Sequence, residues 1–169
     1  HDLMARLPDL RLYQSYGQTE MGPIVSLLGA EQHSAQAREA GMLRSCGRPA
    51  LCVEVRILDT KGNEVPRGTV GEIVVRGYNV MLGYLGDPGA TAAAVVDGRK
   101  RTGDIGVLDA RGNLRITDRI KDMFIVGGFN AYPAEIERMM VEHPLVGLVA
   151  VIGVPDDRLG EVGAAFVVP

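Results

Sequence analysis

The order of apolar and polar positions divides the chain into alternating stretches, one helical stretch and glycine-rich breaks. Residues Leu51 to Asp59 set Val53, Val55 and Ile57 against Glu54 and Arg56, the two-residue period of a half-buried strand. Gly71 to Arg76 reads as the next strand. Asp104 to Asp109 and Leu114 to Asp118 flank Ala110-Arg111-Gly112-Asn113, a hairpin signal. Lys61-Gly62-Asn63 and Pro66-Arg67-Gly68 are turns. Together, residues 47–117 predict a small antiparallel barrel or curled sheet. Arg11 to Tyr16 is a further short strand, with Leu10 and Leu12 on one face and no evident partner nearby. The stretch from Ala30 to Gly47 is mostly loop, and Asp87 to Val96 is helical.

The pattern changes near Lys121. Met123 to Val126 is apolar and Gly127-Gly128 interrupts it. Pro133 suits the first turn of a helix, where its missing N–H costs nothing. Ile136, Met139 and Met140 give that helix one apolar face, and Pro144 closes it. Strands are expected over Val149–Val154 and Glu161–Val168, the opening of a small α+β unit. No internal repeat interrupts this order.

Composition narrows the class. The 169 residues are 46% hydrophobic and 23% charged, with a formal net charge of −3, values of an ordinary globular protein. The densest basic cluster is Arg99-Lys100-Arg101, a poor footprint for nucleic acid. No apolar run approaches the ~20 residues that span a bilayer, and no basic-then-apolar leader is present, so a cytoplasmic protein is expected. Cys46 and Cys52 show no metal spacing and are expected as free thiols. His1, His33 and His143 form no metal-like group. Asp156-Asp157 is expected to cap a turn after Pro155.

Three short motifs carry the candidate chemistry: Tyr16-Gly17-Gln18-Thr19-Glu20, Arg101-Thr102-Gly103-Asp104, and Asp118-Arg119-Ile120-Lys121-Asp122. Singly, each also fits a plain turn or a solvated surface. In this order, with Gly47-Arg48-Pro49 and Gly71-Glu72-Ile73 between them, they resemble the nucleotide-binding core of the adenylate-forming superfamily, which includes the acyl-CoA synthetases. Tyr132-Pro133-Ala134-Glu135-Ile136-Glu137 resembles a helix opening of the same family, of structural role.

That resemblance implies a fold and a set of roles. The fold class would be α+β: the antiparallel barrel or sheet portion of a large adenylating domain (1–120), then the first part of a mobile C-terminal domain (121–169). The activity would be that of an AMP-forming acid–CoA ligase, using ATP, Mg²⁺ and coenzyme A on a carboxylic acid, here a fatty or other hydrophobic acid. Tyr16 would stack on adenine, Gly17 and Gln18 would lie along the nucleotide, and Thr19 would donate to the α-phosphate. Glu20 would hold Mg²⁺, Asp104 would grip the ribose diol, and Arg119 would reach ribose or phosphates. Lys121 would be the hinge between two half-reactions, and Gly127 and Gly128 would line the pantetheine tunnel. Met21 and Gly22 would stand near the acid pocket. The family's phosphate loop would lie before His1 and its C-terminal lysine after Pro169, so the segment alone is expected to be inactive. The alternatives are an adenylation domain that loads a carrier protein and a non-enzymatic α+β binding module. The latter would place Tyr16 and Asp104 on opposite surfaces.

Overall fold

Three antiparallel sheets follow one another in a computed structural model that describes residues 6, 7 and 9–169; His1 lies outside the described residues. The first sheet has the order β1 (Gln14–Tyr16), β2 (Ser26–Leu28), β3 (Arg48–Pro49). The strand expected over 11–16 thus forms only at its end, and it has a partner: Gln14 pairs with Leu28 and Tyr16 with Ser26. Three residues are too few for β2 to show a period of two, so the sequence pattern hides it. The expected loop over 30–47 is also more ordered. It holds 3₁₀ turns at Ala30–His33 and Met42–Arg44 and a short helix α1 (Ala35–Glu39), begun by the Ser34 hydroxyl, which accepts from the Ala37 N–H at 3.2 Å.

The second sheet contains β4 (Val53–Leu58), β5 (Gly71–Gly77), β6 (Val95–Val96), β7 (Arg99–Leu108) and β8 (Leu114–Arg119). It runs β4-β5-β7-β6, with β8 also along β7, and curls as the alternation predicted. Its inward side chains Val55, Ile57, Ile73, Val75 and Leu114 share one core cluster with Tyr16, Met21 and Val25, which joins the first sheet to the second. Helix α2 (Pro88–Ala94) stops short of the expected Val96. Val95 and Val96, β-branched and better suited to a strand, pair instead with Lys100 and Arg99.

The third sheet runs β10 (Phe129–Ala131), β9 (Phe124–Val126), β12 (Gly160–Val168), β11 (Leu148–Asp156). Helix α3 (Pro133–Met140) covers one face, where Ile136 and Met140 pack on Phe124, Val149 and Val151. Met139, expected on the same face, is exposed. Gly127 and Gly128 take φ of 56° and 91°. They form the tight turn of the β9–β10 hairpin, at positive φ that glycine adopts without a Cβ penalty. Asp156 caps the β11–β12 turn, accepting from the N–H groups of Arg158 and Leu159 at 3.0 and 2.8 Å.

Candidate active site

The Asp104 motif sits on an interruption of the β5–β7 ladder. Val74 pairs with Arg101 and Glu72 with Ile105, so Thr102, Gly103 and Asp104 together face the single residue Ile73. Such a bulge re-aims side chains. Gly103 makes it with φ of 72°. The Thr102 hydroxyl donates to the Ile73 carbonyl at 2.7 Å and accepts from the Asp104 N–H at 3.0 Å, so the bulged backbone remains hydrogen-bonded.

Asp104 is only 4% exposed, and three donors converge on it. The Tyr16 hydroxyl donates to Oδ2 at 2.6 Å and Gln18 Nε2 donates to the same oxygen at 2.9 Å. Arg119, its register partner on β8, sets Nε 3.2 Å from Oδ1. Gln18 also donates to the Thr102 carbonyl at 2.9 Å. A carboxylate accepts about four hydrogen bonds, so room is left for a ligand hydroxyl. Burial, with the Asp104 carboxylate beside it, holds the Tyr16 phenol well above its ordinary pKa. Tyr16 and Asp104 thus meet rather than fall on opposite surfaces. The Tyr16 ring lies in the core, 9% exposed, and the contact seen is its hydroxyl on Asp104.

Gly17 to Gly22 is folded back on itself. The Val25 N–H donates to the Tyr16 carbonyl at 2.7 Å. A Cβ on Gly17 would stand 2.5 Å from the Pro23 carbonyl oxygen, which makes glycine necessary there. Residues 77–84 brace the loop from outside: Asn79 Nδ2 donates to the carbonyls of Met21 and Ile24 at 2.7 and 3.3 Å, and the Met81 N–H donates to the Glu20 carbonyl at 2.8 Å. The Tyr84 hydroxyl donates to Glu20 Oε1 at 2.8 Å. Glu20 is held below the ordinary carboxylate range by its own backbone N–H, then by Tyr84, with a smaller contribution from the charge of Lys100. Met21 is fully buried in the core and Gly22 takes φ of 60°.

These elements enclose one cleft of about 660 Å³, lined by Gly17, Gln18, Thr19, Glu20, Asp104, Arg119 and Lys121 among others. Of the residues singled out in the sequence, Tyr16 stands behind this lining, and Gly127 and Gly128 lie outside it. Lys121 also borders a second cleft of about 430 Å³, against Asp118, Pro133 and Glu137. The sequence marks Thr102 only as part of its motif and gives no site role to Asn79, Tyr84 or Lys100. Asn79 and Tyr84 lie in a segment without hydrophobic period, where no local signal marks them. No group of three or more His, Cys, Asp or Glu side chains that could hold a metal occurs among the described residues. Cys46 and Cys52 are free, and burial raises the Cys46 pKa.

Residues 1–85 match the family model of the AMP-binding enzyme, and residues 135–169 that of the AMP-binding enzyme C-terminal domain. A 3-[(3aS,4S,7aS)-7a-methyl-1,5-dioxo-octahydro-1H-inden-4-yl]propanoyl:CoA ligase of Mycobacterium tuberculosis is 49% identical over 155 residues, 91% of this chain and 28% of the relative. A feruloyl-CoA synthase of Amycolatopsis sp is 46% identical over 170 residues, 99% of this chain and 33% of the relative. The solved structure of o-succinylbenzoate CoA synthetase from Bacillus subtilis, in complex with its acyl-adenylate intermediate, superposes with a TM-score of 0.82 at 34% identity, covering 98% of this chain and 33% of that one. The chain therefore spans about a third of the length of these relatives. On both the family models and these identities, the chain belongs to the AMP-binding enzymes, the adenylate-forming family that its motifs resemble.

Proposed function

We propose that this segment forms one wall of the nucleotide site, and the hinge, of an ATP-dependent acid–CoA ligase. The observation that carries this reading is the convergence of Gln18, Glu20, Asp104 and Arg119 on one cleft, although they lie far apart in the chain. In the first half-reaction a carboxylate oxygen bonds to the α-phosphorus of ATP and the bond to the bridging oxygen breaks, releasing pyrophosphate. In the second, the thiol of coenzyme A, giving up its proton, attacks the acyl carbon and AMP leaves.

Asp104 accepts from the ribose hydroxyls, a recurrent solution for nucleotides. Tyr16 holds that carboxylate in place, and Arg119 borders the same end of the cleft. Gly17 allows close approach of the backbone, Gln18 lies along the nucleotide, and the exposed Thr19 hydroxyl donates to an α-phosphate oxygen. Fixed donors of this kind stabilise charge as it develops.

The residues present fit a magnesium ion. Glu20 is ionised and held only by its own backbone N–H and Tyr84, so it keeps lone pairs for a hard cation. Mg²⁺ is commonly bound by one or two carboxylates with substrate phosphates and waters, which suits a cleft without a three-residue cluster. The ion would supply charge neutralisation at the phosphates.

Lys121, between the two clefts, is the hinge, and Gly127-Gly128 is the loop that receives the pantetheine arm. The acid is a fatty or other hydrophobic one, as the named ring-bearing substrates of the two ligase relatives support. The site of action is the cytoplasm; among the described residues no helix is long and apolar enough to cross a membrane.

The test uses the full-length chain with Asp104→Asn, assayed for AMP binding and for thioester formation across an acid library. Loss of one charged hydrogen-bond acceptor is expected to weaken AMP by about tenfold or more. Unchanged AMP affinity, or no thioester from any acid with the unaltered enzyme, would sink the proposal.

A further inference from the structure

Lys100 is a charged group in the same cleft that the scheme above does not use. On β7 the side chains of Lys100, Thr102 and Asp104 are buried while that of Arg101 is exposed. Arg101 is spent on an ion pair with Glu72 outside the cleft. Lys100 is 5% exposed. Its Nζ donates to the Arg101 carbonyl at 2.5 Å, and among the described residues no carboxylate pairs with it. An ammonium has three donors, so a single carbonyl leaves two without a partner. A buried charge with no counter-charge in contact is costly, and the cost is relieved when an anion enters beside it.

The location says which part of a ligand would do so. Lys100 and Glu20 border one cleft, and the ammonium's field contributes to holding Glu20 ionised. Lys100 precedes the ribose-holding Asp104 by four positions on β7, with the bulge between them, and its ammonium rests on the Arg101 carbonyl rather than on that carboxylate. Within this cleft Gln18 and Arg119 are engaged with Asp104, whereas the charge of Lys100 acts on Glu20.

We propose that Lys100 binds the β- and γ-phosphates of ATP and neutralises the departing pyrophosphate. This rests on the nucleotide reading given above. Lys100 acts as a binding residue for the triphosphate tail, next to the phosphate end marked by Glu20, and makes no contact with AMP.

The experiment is calorimetric titration of ATP and of AMP, with Mg²⁺, into the full-length protein and its Lys100→Met and Lys100→Arg variants. Lys100→Met is expected to weaken ATP about tenfold or more, the loss of one charge-assisted hydrogen bond, and to leave AMP within about twofold. Lys100→Arg is expected to keep most of the ATP affinity. Equal weakening of ATP and AMP would mean a structural role and overturn the proposal, as would unchanged ATP affinity. AMP binding also reports folding. Should the methionine variant melt, the ATP-to-AMP affinity ratio of Lys100→Gln decides on the same criteria. If the unaltered protein binds neither nucleotide, the proposed function itself fails, and this inference with it.

Discussion

Tyr16 shows how a buried side chain can act through its neighbour. Its hydroxyl gives the buried Asp104 carboxylate one of three donors. Tyr16→Phe removes that donor and keeps the ring, so a loss of about 1–3 kcal/mol in unfolding free energy is expected. The pH dependence has a defined sign. The folded pKa of Tyr16 lies above its ordinary value of 10.0, so the native state keeps the phenol proton after the unfolded chain has lost it. The associated stability is complete below about pH 10 and declines as pH rises further. Melting temperatures between pH 8 and 11 should therefore fall on the alkaline side in the unaltered protein, and less steeply in Tyr16→Phe. Equal slopes would show that Tyr16 is not the group responsible. Lys100 belongs to the densest basic run in the chain, which reads as a solvated surface. Its orientation becomes legible only when the strand is begun at Arg99 instead of Asp104, because the period of two then places it inward with Thr102 and Asp104.

Among the elements, the glycines of the two turns that line the cleft do different work, and substitution separates them. Gly103 has a positive φ but open space around a would-be Cβ, whereas Gly17 has no such φ but faces the Pro23 backbone at 2.5 Å. Gly103→Ala is expected to cost about 1–2 kcal/mol, the left-handed penalty of an L-residue, and to misdirect Asp104. Gly17→Ala must move backbone, so it is expected to lower the melting temperature more and to abolish AMP binding. Thermal melts of the two variants check the ranking, and a reversed order would contradict this account. Among the long strands, β4 was legible because its alternation extends over enough residues to fix a face, β5, β11 and β12 because apolar stretches of strand length are bounded by turn residues, and β8 because a hairpin signal precedes it. The short β2 and β10 were not, since three residues carry no period. The β7 bulge was legible only as its Thr-Gly-Asp motif, because the pairing it interrupts is non-local. The order of motifs pointed to residues that share one cleft, and long-range packing decided that Tyr16 would turn toward Asp104.

For the molecule as a whole, the junction at Lys121 matters most. Asp118, on β8 before the junction, accepts from the N–H of Ala134 at 3.0 Å, in the first turn of α3 beyond it. Tyr132, at the N-cap of that helix, makes no side-chain capping bond. Asp118 therefore satisfies one of the donors that every helix start leaves open. Asp118→Ala is expected to cost about 0.5–2 kcal/mol, as for a lost cap. Hydrogen exchange of the amides of residues 134–137 in the full-length protein should then be roughly tenfold faster, one factor of ten per ~1.4 kcal/mol. Unaltered exchange would show that the contact holds nothing.

Helix α3 borrows its cap from the other side of Lys121, the proposed hinge. If the C-terminal part swings about Lys121, the Ala134 amide must leave Asp118 and find water or another acceptor. Helix fraying and interdomain orientation then become a single equilibrium. One backbone proton, exchanging with solvent, would count how often the enzyme changes posture.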